Sequence, residues 1–128
     1  MLTISKLLII TNNSQVTPLE GAIYFNEDLE QILTRVRNLV HQNHILITHP
    51  LAGSVKPHIT PYKSVAVSAT PGAQLDYPSL QIIENALQLT RQLKGNREPP
   101  SWSSEVLADF ATIDFSLLQS GLESLKYR

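Results

Sequence analysis

The chain has 128 residues, which is a common length for a single domain. Hydrophobic residues make up 42% and charged residues 16%, so the composition excludes a disordered chain. Because there is no cysteine, a disulfide framework, a thiolate metal site and a cysteine nucleophile are excluded as well. The first ten residues are too short for a secretory signal, and no apolar run has the length of a membrane span. We therefore expect a cytoplasmic protein without a membrane partner.

The first half of the chain predicts two strands and a helix. Residues 6–10 form a continuous apolar run, which is typical of a strand covered on both faces, and 22–25 predicts a short second strand. Asn26 can cap a helix whose apolar residues, within 29–40, fall on one face. Asn43 is suited to end this helix in a left-handed turn.

The middle of the chain repeats this pattern. Residues 45–48 predict a third, buried strand, and 63–69 predict a fourth. Asp76 and Pro78 indicate the start of a second helix, which Gly95 is suited to end. The order of elements predicts an α/β fold: a small single-domain sandwich with a mostly parallel central sheet of about four strands flanked by helices.

The chain divides into three predicted parts. Residues 1–95 form the α/β core domain, and 96–101 form a linker. Residues 102–128 form a C-terminal helical segment, either one helix or two broken near Asp114. This segment is apolar and includes Trp102, so it packs either on the core or on an oligomer partner, and a homodimer is left open.

Charge is distributed unevenly along the chain. The formal net charge is −1, but residues 31–75 contain no acidic residue and carry +4, which leaves −5 for the rest. This asymmetry indicates an electropositive face with affinity for anions. The alternative is that the fold pairs these cations with carboxylates from elsewhere. The imbalance is too small to indicate a nucleic-acid partner.

Two loops are candidates for a binding site. Residues 49–64 contain three prolines, and irregular loops of this length are usually functional. This stretch begins where a predicted parallel strand ends, which is where α/β sheets bind ligands, and 11–13 can open at the same edge. We predict a pocket for a small anionic metabolite, a carboxylate or a phosphate, held by backbone N–H groups and lysine charge. The candidate ligand-binding residues are Thr11, Asn12, Asn13, His49, Gly53, Ser54, Lys56, Tyr62, Lys63 and Ser64.

Each candidate also has an ordinary structural explanation. Asn12 and Asn13 are typical turn residues, His49 can hydrogen-bond backbone at a strand end, and Tyr62 can pack with its hydroxyl outward. Lys63 can shield the edge of a sheet. Both explanations stay open at the level of sequence.

No catalytic residue can be named from the sequence. Ser54 or Ser64 with His49 could act as nucleophile and base, but no carboxylate nearby in the chain orients the histidine. Neither a nucleophile elbow nor a glycine-rich phosphate loop is present. His49 and His58 have poor spacing for metal ligands, so we expect no metal and no cofactor. Whether the chain is an enzyme is left open.

The same loops carry a family resemblance. Ile9–Asn13, His49–Pro57 and Thr60–Ser64 together resemble the GrdX family, small proteins encoded beside the glycine, sarcosine and betaine reductase genes. The likeness covers residues 4–95 and is not extended to the C-terminal segment. It implies an accessory role in that metabolism, with reductase components as candidate partners. A chain without cysteine cannot serve there as a thiol redox carrier.

Two other functions stay open beside this one. The first is an interaction or assembly module that docks a protein and binds no small ligand. The second is a hydrolase or transferase that uses His49.

Overall fold

The computed structural model describes residues 6–51, 59–98 and 100–125. Within these residues the chain forms three strands and three helices. They are β1 (Leu7–Thr11), β2 (Ala22–Tyr24), α1 (Leu29–His41), β3 (Ser64–Ser68), α2 (Tyr77–Lys94) and α3 (Ser104–Ser124), with one 3-10 turn at Ser14–Val16. The strand order is β2-β1-β3, and β1 is parallel to β2 but antiparallel to β3. The predicted α/β class is confirmed, whereas the four-stranded, mostly parallel sheet is wrong.

The prediction of a mostly parallel sheet was wrong because the amino-acid composition of a strand depends on its burial and not on the direction of its neighbours. Ile10 of β1 packs in a core with α1 and α2, whereas its neighbour Ile9 packs in a second core with α3. A central strand with both faces covered is apolar throughout, whether its neighbours are parallel or antiparallel. The apolar run therefore predicted the burial of β1 correctly and could not give the direction of β3.

The predicted strand at 45–48 is not a strand in the structure. The segment runs beside β3, but it makes one isolated bridge, from Leu46 to Val67. The N–H groups of Ile47 and Thr48 both donate to the carbonyl of Ala66, at 2.9 and 3.3 Å, so two residues oppose one, as in a β-bulge. A regular ladder is interrupted in this way although the sequence is apolar.

The ends of α1 show a capping box at the start and a left-handed residue after the end. The carboxylate of Asp28 accepts the N–H of Gln31 at 2.8 Å, and the Gln31 side chain accepts the N–H of Asp28 at 2.9 Å. Asp28 is therefore the cap, and the expected Asn26 lies two residues before it. Asn43 has a φ of 75°, as predicted for the turn that follows.

The predicted limits of the second helix are confirmed, and the C-terminal segment forms one helix. Asp76 caps α2, and Gly95 follows its last residue with a φ of 53°. α3 is continuous through Asp114, so of the two predicted forms the single helix is the one observed. No helix in the described part of the chain is both long enough and apolar enough to cross a membrane.

The sheet lies between two apolar cores. One core joins it to α1 and α2 and contains Ile32, Leu33, Ile83 and Leu87, all of which are at most 1% exposed. The other core lies on the opposite face and joins Ile9, Val16, Ala66 and Leu118. Since Leu118 belongs to α3, this helix covers the face that α1 and α2 leave open. The described residues thus form three layers: helix, sheet and helix.

Candidate functional site

A buried carboxylate lies where β1 ends and β3 begins. Asp114, in the middle of α3, is 5% exposed. Its Oδ1 accepts the backbone N–H of Ser64 at 3.0 Å, and its Oδ2 accepts the Ser64 hydroxyl at 2.7 Å and the Asn13 amide at 3.0 Å. One carboxylate from α3 therefore binds the polar residues at the ends of two adjacent strands.

The hydroxyl groups around Asp114 form a directed chain of hydrogen bonds. Ser64 Oγ and Thr11 Oγ1 are 2.7 Å apart. Because the single hydroxyl proton of Ser64 is donated to Asp114, Ser64 must accept the proton of Thr11. Thr11 in turn accepts the N–H of Asn13 at 2.9 Å. Each bond polarises the next toward the carboxylate, and such chains are stronger than isolated pairs.

Asn12 joins the turn at 11–13 to the end of the 49–64 loop. Its amide nitrogen donates to the carbonyls of Pro61 and Glu27, both at 2.9 Å, and its amide oxygen accepts the N–H of Lys63 at 2.8 Å. The turn after β1 thereby holds the end of the long loop against the start of α1. The two predicted loops do meet in space, at this residue.

Asn13 joins the same turn to α3. Besides the bond to Asp114, its amide nitrogen donates to the carbonyl of Ala111 at 2.8 Å, and its amide oxygen accepts the N–H of Gln15 at 3.0 Å. Both amide N–H groups and the oxygen of Asn13 are thus in use inside the protein. The polar cradle at Thr11, Asn13 and Ser64, predicted to take a carboxylate from a ligand, holds the chain's own Asp114.

Lys63 is the second charged residue in this region. It is 4% exposed, and burial lowers the pKa of its ammonium group, while the nearby Asp114 carboxylate opposes that shift. A buried residue whose pKa is shifted by burial and by a nearby charge is a candidate for a functional role. We call Thr11, Asn12, Asn13, Lys63, Ser64 and Asp114 the buried network.

Of the remaining predicted ligand-binding residues, the two that the structure describes lie outside the network. His49 is exposed, and its Nδ1 accepts the N–H of Leu51 at 3.0 Å, which is a local turn contact. Tyr62 is half-buried. Gly53, Ser54 and Lys56 lie outside the described residues. The ligand-binding role of all ten candidates therefore stays a prediction.

Two arginines of the acid-free stretch are paired with carboxylates from outside it. Arg35 Nη2 lies 3.1 Å from Glu27 Oε2, and this hydrogen-bonded pair lowers the pKa of Glu27. Arg37 and His41 lie 3.0 and 3.3 Å from Glu84. For these α1 residues the structure favours pairing over an electropositive face. Exposed pairs of this kind add little stability.

Asp114 is the site residue that the sequence did not identify. It lies three residues after Ala111 and four before Leu118, so it occupies a position on the buried face of α3. Acidic residues are almost never fully buried without a partner. The sequence therefore did contain a signal: an acidic residue stands at a position where the helical pattern predicts an apolar one. Such a residue needs polar partners elsewhere in the fold.

The fold and the network define a small three-layer α/β protein whose sheet edge is fastened to a helix by buried polar groups. The family model described as GrdX-like protein matches residues 8–123, so the chain belongs to the GrdX-like protein family. The match includes all but the last residue of α3 and thus contains Asp114, so the family likeness extends well past residue 95. No curated protein and no solved structure significantly matches the chain.

Proposed function

We propose that the chain is an accessory protein of glycine, sarcosine and betaine reductase metabolism that binds a small anionic metabolite through its 49–64 segment. Membership of the GrdX-like family supports the link to glycine reductase-type systems. The absence of cysteine supports an accessory role over that of a thiol carrier. The anion is a carboxylate or a phosphate of a small metabolite.

The observation that carries the proposal is the way the network fixes the end of this segment. Asn12 accepts the N–H of Lys63 at 2.8 Å, and Asp114 accepts the N–H of Ser64 at 3.0 Å. Binding groups held in place before the ligand arrives lose less conformational freedom on binding. The buried network at the Lys63–Ser64 end of the segment therefore supports a binding role for this segment.

We assign the predicted site residues to two roles. Thr11, Asn12, Asn13 and Ser64 use their polar atoms inside the network, so we assign them to support. The contacts with the anion fall to His49, Tyr62 and Lys63, together with Gly53, Ser54 and Lys56. An anion near Lys63 would stabilise its charged form, which burial disfavours.

The test is thermal unfolding of the full chain with phosphate and acetyl phosphate as probes. A ligand at about one hundred times its Kd should add about 2.7 kcal/mol to the free energy of unfolding. We expect His49→Ala to weaken anion binding about three- to tenfold, since it removes one polar contact worth roughly 1 kcal/mol. It should leave the unliganded Tm unchanged because His49 is exposed.

His41→Ala is the matched control, since His41 is also exposed but lies on α1 beside Glu84. It should bind both anions like the wild type. The proposal fails if neither anion raises the Tm, or if His41→Ala and His49→Ala weaken binding equally.

The two other functions have less support. A docking role for the C-terminal segment was inferred from its aromatic residues. Trp102, Phe110 and Phe115 are, however, half-buried, and Phe115 packs against the core under α3. A hydrolase or transferase would need a group that orients His49. The one hydrogen bond found for its side chain in the described residues is the local contact with Leu51.

A further inference from the structure

A small pocket lies beside the network, between the start of α1, the end of α2 and the segment before α3. It measures about 120 Å³, and its lining includes Asp28, Glu30, Thr60, Lys94 and Trp102. This is smaller than the roughly 300–1,000 Å³ of pockets for drug-sized ligands, so the pocket suits a small metabolite.

Two residues that line the pocket, Pro61 and Trp102, are held in place by contacts with other residues. Pro61 lines the pocket, and its carbonyl accepts the amide of Asn12 at 2.9 Å. The ring of Trp102 lies against the ring of Phe110, with centroids 5.3 Å apart at 55°. Such tilted pairs stabilise the position of an aromatic side chain. The pocket thus exists before any ligand binds.

The charges in the pocket are of both signs. Asp28 and Glu30 provide carboxylates, and Lys94 provides an ammonium group whose Nζ lies 3.9 Å from Glu30 Oε1. Glu30 also pairs with Arg91 at 3.1 Å. A simple anion would meet two carboxylates there, and a simple cation would meet Lys94. A ligand with both charges can satisfy both kinds of group.

We propose that this pocket binds a small zwitterion that carries an ammonium and a carboxylate group. The carboxylate pairs with Lys94. The ammonium group lies by Asp28 and against Trp102, since indole rings bind primary and alkylated ammonium groups by cation–π attraction. None of the ten predicted ligand-binding residues lines the pocket in the described part of the chain, so this site goes beyond the proposed function and does not depend on it.

Trp102 is the only tryptophan, so all tryptophan emission comes from a residue that lines this pocket. The probes are glycine and its trimethyl derivative, with tetramethylammonium and acetate as the two halves of the zwitterion. We expect a saturable change in emission with at least one zwitterion, and at least about tenfold weaker binding of each half. The inference is overturned if neither zwitterion changes the emission, or if either half binds as tightly as the zwitterion.

Lys94→Met tests the assigned carboxylate contact, and Arg97→Met is the matched control because Arg97 is an exposed cation just past α2. Lys94→Met should reduce the affinity for the zwitterion to that for tetramethylammonium, whereas Arg97→Met should not change it. Equal losses in both variants would contradict the site. His49→Ala should leave zwitterion binding intact, so failure here and failure of the proposed anion site give different results.

Discussion

At the residue scale, burial affects the two charged residues Asp114 and Lys63 differently. Removing a charged group from water costs several kcal/mol, which Coulomb attraction and hydrogen bonds offset only when the geometry is good. Asp114 accepts three hydrogen bonds, so its carboxylate is well satisfied. For Lys63 desolvation is the larger effect, and the pKa of its ammonium group is lowered.

This lowered pKa predicts the pH dependence of stability. The unfolded chain holds the Lys63 proton up to about pH 10.5, whereas the folded chain releases it at lower pH. Stability rises with pH wherever the unfolded state binds more protons. The free energy of unfolding of the wild type, relative to Lys63→Met, should therefore increase as the pH passes the folded pKa and approaches 10.5.

The measurement is urea unfolding of both proteins from pH 7 to pH 10.5. Titrating groups that do not interact with Lys63 are common to both chains, so they cancel in the difference. A difference that is flat, or that falls with increasing pH, would show that the ammonium group of Lys63 is not destabilised by burial.

At the scale of elements, Gly21 allows β1 and β2 to pair. Its φ is 85°, and a Cβ atom there would lie 2.0 Å from the backbone oxygen of Leu7. The N–H of Ile9 donates to the carbonyl of Gly21 at 2.9 Å, so the strand edge passes close to this residue. No larger residue fits without moving β1 or the turn.

Gly21→Ala should destabilise the protein by about 3 kcal/mol or more, through strain and through the clash with the Leu7 oxygen. Gly95→Ala is the control, because Gly95 also has a positive φ, 53°, but a Cβ there meets no atom within 4 Å. It should cost about 1–3 kcal/mol through backbone strain alone, since its φ of 53° and ψ of −131° favour glycine, and less than Gly21→Ala. Chemical denaturation measures both free energies of unfolding. Equal losses in the two variants would show that the clash with the Leu7 oxygen does not contribute.

The elements that sequence patterns predicted are those fixed by local chemistry. α1 and α2 show their apolar spacing and their end residues within the segment itself, and β1 shows its burial. The 45–48 segment is equally apolar, but its pairing depends on distant groups. Ile45 donates to the hydroxyl of Ser68 at 2.8 Å and Leu46 to that of Ser79 at 2.9 Å. Such contacts cannot be predicted from the segment alone.

At the scale of the whole molecule, α3 completes both the core and the site. Leu118 packs on the sheet face opposite α1 and α2, and Asp114 enters the polar edge of the same face. The sequence left open whether the turn at 11–13 meets the loop end, and the structure joins them through Asn12. Asp114, the partner of both, was not predicted, because it lies 101 residues from Asn13 in the chain. A contact at that separation arises from the topology and not from a local motif.

The central claim is that Asp114 couples α3 to the ends of β1 and β3. The direct test is a double-mutant cycle by chemical denaturation on Ser64→Ala, Asp114→Asn and the double variant, with the exposed Asp109→Asn as control. We expect Asp114→Asn to cost about 2–3 kcal/mol, since it leaves buried donors without an acceptor.

Asp109→Asn should change stability by less than about 0.5 kcal/mol. The double variant should lose at least about 1 kcal/mol less than the two single losses together, because both changes remove the same bond between Ser64 and Asp114. Losses that simply add, or an Asp114→Asn variant as stable as Asp109→Asn, would contradict the account.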